Sequence, residues 1–155
     1  MASTISTATL TVDIVEDLTL DGRQVGKTTT KAITGINQAP GAIVTVPFAT
    51  NGLALFSLFT APGLGQYVGT DLKYCRITNK DGENFITLLF KNLAPDSSFA
   101  VKLGAGESYV WWNDQFDSNP TSQDIDNVTF DDIISVVAKA NTADCEVEFL
   151  LALAS

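Results

Sequence analysis

Tyr74-Cys75-Arg76-Ile77-Thr78, Asn79-Lys80-Asp81-Gly82, Phe85-Ile86-Thr87-Leu88-Leu89-Phe90, Phe99-Ala100-Val101-Lys102-Leu103, Gly104-Ala105-Gly106 and Tyr109-Val110-Trp111-Trp112 follow one another within residues 71–112. Short apolar, β-branched and aromatic runs are separated by turns rich in Gly, Asn and Asp. Side chains of a strand repeat with period two, so Phe99, Val101 and Leu103 fall on one face. Such runs between Gly-bearing turns predict antiparallel hairpins, and hence an all-β antiparallel sandwich or barrel. No catalytic motif accompanies them.

The same pattern extends outward in both directions. Toward the C-terminus, Ile133-Ile134-Ser135-Val136-Val137 is β-branched and favours a strand. Cys145-Glu146-Val147-Glu148-Phe149-Leu150-Leu151 alternates, which points Cys145, Val147, Phe149 and Leu151 at a core and Glu146 and Glu148 at solvent. Toward the N-terminus, Ile43-Val44-Thr45-Val46 is a strand that Pro47 places at or near an edge. Asn51-Gly52 signals a hairpin leading into Leu53-Ala54-Leu55-Phe56-Ser57-Leu58-Phe59. Leu10, Val12 and Ile14 share one face of a strand, Leu18-Thr19-Leu20 continues as a shorter one, and Asp21-Gly22 turns it. Thr28 to Thr30 is polar and β-branched, an extended segment with little core of its own. It is expected to pair with the main sheet or to lie along a neighbouring subunit. The count, about eight to ten strands, suits a two-sheet jelly roll. The chain divides into an N-terminal extended arm or strands over 1–34 and a β-sandwich domain over 35–155.

A chain of 155 residues makes one domain and buries enough surface to need neither disulfide nor metal. Hydrophobic residues make up 45%, which excludes a disordered chain. No apolar run reaches the length of a membrane-spanning helix, and Met1-Ala2-Ser3-Thr4-Ile5 has no basic or apolar signal region, so no membrane partner is expected. The net charge of −9 repels phosphate backbones, so no nucleic-acid partner is expected either. Histidine is absent, which removes the commonest general base and metal ligand. Cys75 and Cys145, both in strand-like segments, are expected to be buried free thiols. The chain is therefore read as no enzyme, without a cofactor.

Four constellations invite a functional reading. Asp124-Ile125-Asp126-Asn127 offers oxygens at calcium-loop spacing but lacks the Gly and distal Glu of an EF-hand, and reads more simply as a solvated loop. Trp111 and Trp112 must point to opposite faces of a strand. One belongs to a core. The other is either covered by its own loop or free to stack on a sugar, with Asp114 and Asp117 beside it for polar contacts. Gly22, Gly26 and Lys27 imitate a phosphate loop, but the spacing is too short and no helix follows, so the segment reads as a hairpin turn. Glu146 and Glu148, two apart on one strand, read as solvent-facing rather than as a glycosidase pair.

Thr9-Leu10-Thr11-Val12 to Leu20-Asp21-Gly22, then Ile43-Val44-Thr45-Val46-Pro47, Leu72-Lys73-Tyr74-Cys75-Arg76-Ile77-Thr78-Asn79 into Asn84-Phe85, Val101-Lys102-Leu103-Gly104-Ala105-Gly106-Glu107-Ser108, and a closing strand near Leu153 form a whole-chain pattern. It resembles small virion structural proteins of tailed bacteriophages. The resemblance implies a β-sandwich or jelly roll with an extended N-terminal segment, placed on a capsid surface as a decoration or cement protein, or in the tail. Its expected partners are the major capsid protein lattice and further copies of itself, a trimer above all, assembled in the bacterial host cytoplasm. For subunit contact the expected residues are Leu53, Leu55, Phe56, Leu58 and Phe59, with Leu64 and Tyr67, because that run is too apolar for the open face of a monomer. The alternative is a glycan- or receptor-binding module of a tail fibre, using Trp111, Trp112, Asp114 and Asp117.

Overall fold

Alternating apolar residues form strands here because each pleated face can be buried separately, and the two N-terminal strands already show the limit of that rule. β1 (Ala8–Val15) pairs antiparallel with β4 (Thr28–Ile36), and between them β2 (Thr19–Leu20) and β3 (Arg23–Gln24) close a small hairpin. Asp21 and Gly22 both have positive φ, the backbone that a tight two-residue hairpin requires. The Thr28–Thr30 segment pairs with β1 rather than with the main sheet. A computed structural model describes residues 6–59, 66–93, 98–113, 115–119 and 125–155.

The rest is a two-layer sandwich. Its strands are β5 (Gly41–Val46), β6 (Leu53–Phe59), β7 (Tyr67–Val68), β8 (Leu72–Asn79), β9 (Ile86–Asn92), β10 (Ser98–Leu103), β11 (Ser108–Trp111), β12 (Asp117–Ser118), β13 (Asp131–Ala140) and β14 (Cys145–Leu153). One sheet runs β11-β8-β14-β5 and is antiparallel throughout. The other runs β10-β9-β13-β6-β7, with β12 on the end of β13 and the short β6–β7 pair parallel. β5 is an edge strand, where Pro47 had placed it.

A single apolar cluster fills the space between the sheets. Cys75, Ile77, Cys145, Val147, Phe149 and Leu151 enter it from one side, and Phe56, Leu58, Ile86, Leu88, Phe90, Ile133 and Val136 from the other. Rings span the gap: Phe56 lies 5.7 Å from Phe149, and Phe90 lies 5.0 Å from Tyr109. The alternation in β14 is as the sequence predicts, with Glu146 and Glu148 on the outer face.

The turns do not do what their composition suggests. Asn51-Gly52 does not make a hairpin: β5 belongs to one sheet and β6 to the other. Asn79 to Gly82 and Gly104 to Gly106 likewise carry the chain across the sandwich. Val46 and Leu55, like Ile77 and Ile86, thereby enter one core from opposite sheets. Gly52 has φ +108°, and a Cβ there would stand 2.9 Å from Val137 Cγ1, so glycine is needed for the crossing rather than for a tight hairpin.

Candidate functional site

The ribbon of β1 and β4 is seated on the outer face of the four-stranded sheet. Ile33 and Ile36 are buried there with Tyr74 and Ala152, and Leu10, Val12, Trp112, Leu150 and Ala154 pack around them. The alternation of β8 and β14 dictates this second, smaller core: residues that do not face the sandwich interior face the ribbon. Leu10 opposes Ile33, Val12 opposes Lys31 and Ile14 opposes Thr29, so Leu10, Val12 and Ile14 form one row. The row begins half-covered at Leu10 and Val12 and runs off the sandwich at Ile14, which is 42% exposed. Beyond it Leu18, Leu20 and Val25 are more than half exposed.

Beside the ribbon's seat, Arg76 donates to Glu148 at 2.7 Å and Lys80 approaches the same carboxylate at 3.7 Å. A hollow of about 330 Å³ lies between Ile43 on β5, Arg76, Glu148 and Leu150. Burial pushes the Tyr74 hydroxyl above its ordinary range, with the nearby Arg76 charge opposing that shift.

A second concavity, about 710 Å³ and open, sits at one end of the sandwich. The short helical turn Gly69–Asp71, the start of β8 and the segment after β11 wall it with Thr70, Lys73, Asn113, Gln115, Phe116, Asp117 and Asp132. Lys73 Nζ donates to the Thr70 carbonyl at 3.1 Å. Asp117 and Asp132 are direct cross-strand partners, so two carboxylates share this wall. Among the described residues no three His, Cys, Asp or Glu side chains come together as a metal site. Asp124 of the acidic stretch lies outside the described residues.

The structure redistributes the residues expected at a subunit contact. Leu55, Phe56 and Leu58 are buried in the chain's own core and are covered without a partner. The run is apolar because β6 is an inner strand, flanked by β13 and β7. Tyr67 is half-buried against the same core, and Leu53 is exposed. Phe59 ends β6, but its side chain, like Leu64, lies outside the described residues.

Trp111 and Trp112 do face opposite ways, and both find protein. Trp111 meets Phe116 edge-on at 5.0 Å and donates its Nε1–H to the Gln115 carbonyl at 3.1 Å. Trp112 is half-buried at the foot of the ribbon, packed against the cluster of Ile33, Ile36 and Tyr74, so of the two alternatives the second ring is the covered one, by the ribbon rather than by its own loop. Asp117 reaches the open cavity, and Asp114 lies outside the described residues.

Two buried asparagines escaped sequence reasoning. Asn79 ties two crossing turns together, and Asn92 donates to the carbonyls of Asp131, at 2.8 Å, and Ser118, at 3.2 Å. Each reads in sequence as an ordinary turn or strand-end residue, with no signal of its burial. No protein-family model, curated protein or solved structure matches this chain.

Proposed function

We propose that this protein is a non-enzymatic structural component of a tailed-bacteriophage virion that decorates and cements a capsid. The observation that carries this reading is the ribbon. Its root is seated on the sandwich, but its far end carries Ile14, Leu18 and Leu20 into water, and a two-stranded ribbon with no third layer is marginal there. Such a segment gains its stability from a surface outside its own domain. The strand order supports the jelly-roll form of the sandwich: β5, β14, β8 and β11 in one sheet and β6, β13, β9 and β10 in the other are two four-stranded layers exchanged at nearly every turn. Cementing would work by repetition, each copy burying modest apolar area against the shell and neighbouring copies, with a trimer adding avidity.

Quantitative mass spectrometry of native particles tests the reading. The expected result is a copy number in fixed proportion to the major shell subunit, and loss of heat resistance in particles lacking this chain. A copy number of only a few per particle, or equal heat resistance without it, removes the cementing role.

A second reading rests on the open cavity. Its amides, hydroxyl and carboxylates are the groups that bind sugar hydroxyls, and this favours a glycan-binding tail module. Binding on a glycan array that is abolished by Asp117→Ala would move this reading ahead.

A further inference from the structure

We infer that the exposed end of the ribbon docks on the outer sheet face of a second copy of this chain, in the hollow between Ile43 and Leu150. The inference deepens the partner side of the structural role proposed above. Three observations carry it. First, the apolar row is continuous with an interface that already exists. Leu10 and Val12 seat the ribbon's root on Tyr74, Ala152 and Leu150, and Ile14 carries the same row past the end of that seat. Leu18 and Leu20 then present 55% and 59% of their surface to water. A segment whose root binds this sheet face has the chemistry to bind the part of the face its own root leaves open.

Second, that open part is on every copy. Ile43 is 59% exposed on edge strand β5, Leu150 is half-buried beside it, and the hollow between them is about 330 Å³, enough for a leucine side chain. Third, charge does not oppose the contact. Residues 8–36 hold three of the nine basic residues and four of the eighteen acidic ones, so the ribbon is nearly neutral and the remainder carries almost all of the net −9. Arg23 and Lys27 share the ribbon's end with Asp17 and Asp21, and Glu148 on the receiving face is already held by Arg76 and Lys80, which leaves Glu146 as the carboxylate there for an incoming cation. The contact joins unlike surfaces, so it closes either reciprocally between two copies or around a larger ring of copies.

The test uses the purified full chain in sedimentation velocity over a concentration series. The expected result is reversible association of the wild type that Leu18→Ser with Leu20→Ser weakens by about tenfold or more, since each leucine leaves an apolar contact. Ile43→Ser weakens it comparably. All three positions, Leu18, Leu20 and Ile43, are exposed in the single chain, and unchanged urea midpoints confirm that the variants fold. Disulfide trapping supplies the geometry: an oxidised equimolar mixture of Leu20→Cys and Ile43→Cys chains yields the 20–43 heterodisulfide in excess over both homodisulfides, with Cys75 and Cys145 shielded in the core. A wild type that stays monomeric at about 100 μM, the weak end of specific association, overturns the inference. So does association unchanged by both sets of substitutions, or a mixture giving only homodisulfides. A chain that associates in this way yet is absent from virions loses the capsid role and keeps this contact.

Discussion

Asn79 Nδ2 donates to the Gly104 carbonyl at 3.0 Å, a contact between the turn leaving β8 and the turn leaving β10. The same amide donates to the Asn84 carbonyl at 2.8 Å and to the Leu103 carbonyl at 3.3 Å, while its Oδ1 accepts from the Asp81 N–H at 3.1 Å. One fully buried side chain thereby holds two sheet-to-sheet crossings in register. Removing it leaves buried carbonyls without donors. Asn79→Ala is expected to lower stability by about 2–4 kcal/mol, and Asn79→Asp by more near neutral pH, because a carboxylate would face three carbonyl oxygens. Urea unfolding midpoints at constant slope report both; a loss below about 0.5 kcal/mol for Asn79→Ala would show that the turns hold themselves.

Core position separates β6 from the ribbon. Phe90 stacks on Phe99 at 4.7 Å and touches Tyr109 and Phe116, so Phe90→Ala is expected to cost about 3–5 kcal/mol. Phe56→Asp places a carboxylate in the same core and should abolish folding rather than release a folded monomer. Val15→Ser on the ribbon should stay within about 0.5 kcal/mol of wild type. A soluble, cooperatively folding Phe56→Asp monomer would return β6 to the role of a subunit contact.

Gly26 distinguishes the ribbon's stability from that of the sandwich. A Cβ on Gly26 would overlap the Glu16 backbone carbonyl across the ribbon, so Gly26→Ala must open it. Amide exchange should rise by about tenfold or more for Thr11–Ile14 and Thr28–Lys31 while β8 and β14 keep their protection. Equal loss in both regions would mean that ribbon and sandwich unfold as one unit.

The Asp81 carboxylate accepts from the Asn84 N–H at 2.6 Å and the Glu83 N–H at 2.8 Å, and these bonds hold it below its ordinary pKa. Its folded value is depressed, so its contribution is complete above the unfolded carboxylate range, about pH 4, and fades as pH falls through the folded value. Asp81→Asn should therefore flatten the acid limb of the stability–pH curve by lowering stability toward neutral pH, and leave the acid end little altered. An unchanged acid limb would assign the acid sensitivity to other carboxylates.

Burial pushes both thiols upward, Cys75 far above its ordinary range and Cys145 with help from the Asp81 and Asp144 charges. Both folded values exceed the unfolded one, so their contribution is whole below the unfolded thiol pKa, about 8.5, and declines at higher pH. A disulfide reagent at neutral pH is expected to leave the native chain unmodified and to titrate two thiols once it is unfolded. Rapid native labelling of Cys145 would place that thiol at the surface, and a chain with no titratable thiol when unfolded would be disulfide-bonded.

Much of this architecture is legible along the chain because a strand's face is set by local parity. Phe149 lies two residues from Val147 and Leu151, and nothing distant is needed to put all three on one side. The same parity set Glu148 outward and separated Trp111 from Trp112. Turn composition was a poorer guide: Asn51-Gly52 specifies a sharp change of direction, and only the pairing of β6 with β13 and of β5 with β14 shows that the change leads across the sandwich. The run Leu53–Phe59 announced burial and was silent about what buries it.

What the sequence by itself determined was therefore the all-β class, the edge position of β5 beside Pro47, the inward faces of β10 and β14, and a chemistry without histidine. These follow from covalent order and side-chain type alone. The tertiary structure decided which strands share a sheet, that Trp112 is taken by Ile33 and Ile36, that Asn79 closes two crossings, and where the row Leu10-Val12-Ile14 leaves its own domain. Each of these joins residues far apart in the chain, and such contacts form only when one arrangement satisfies every buried face and every buried polar group together.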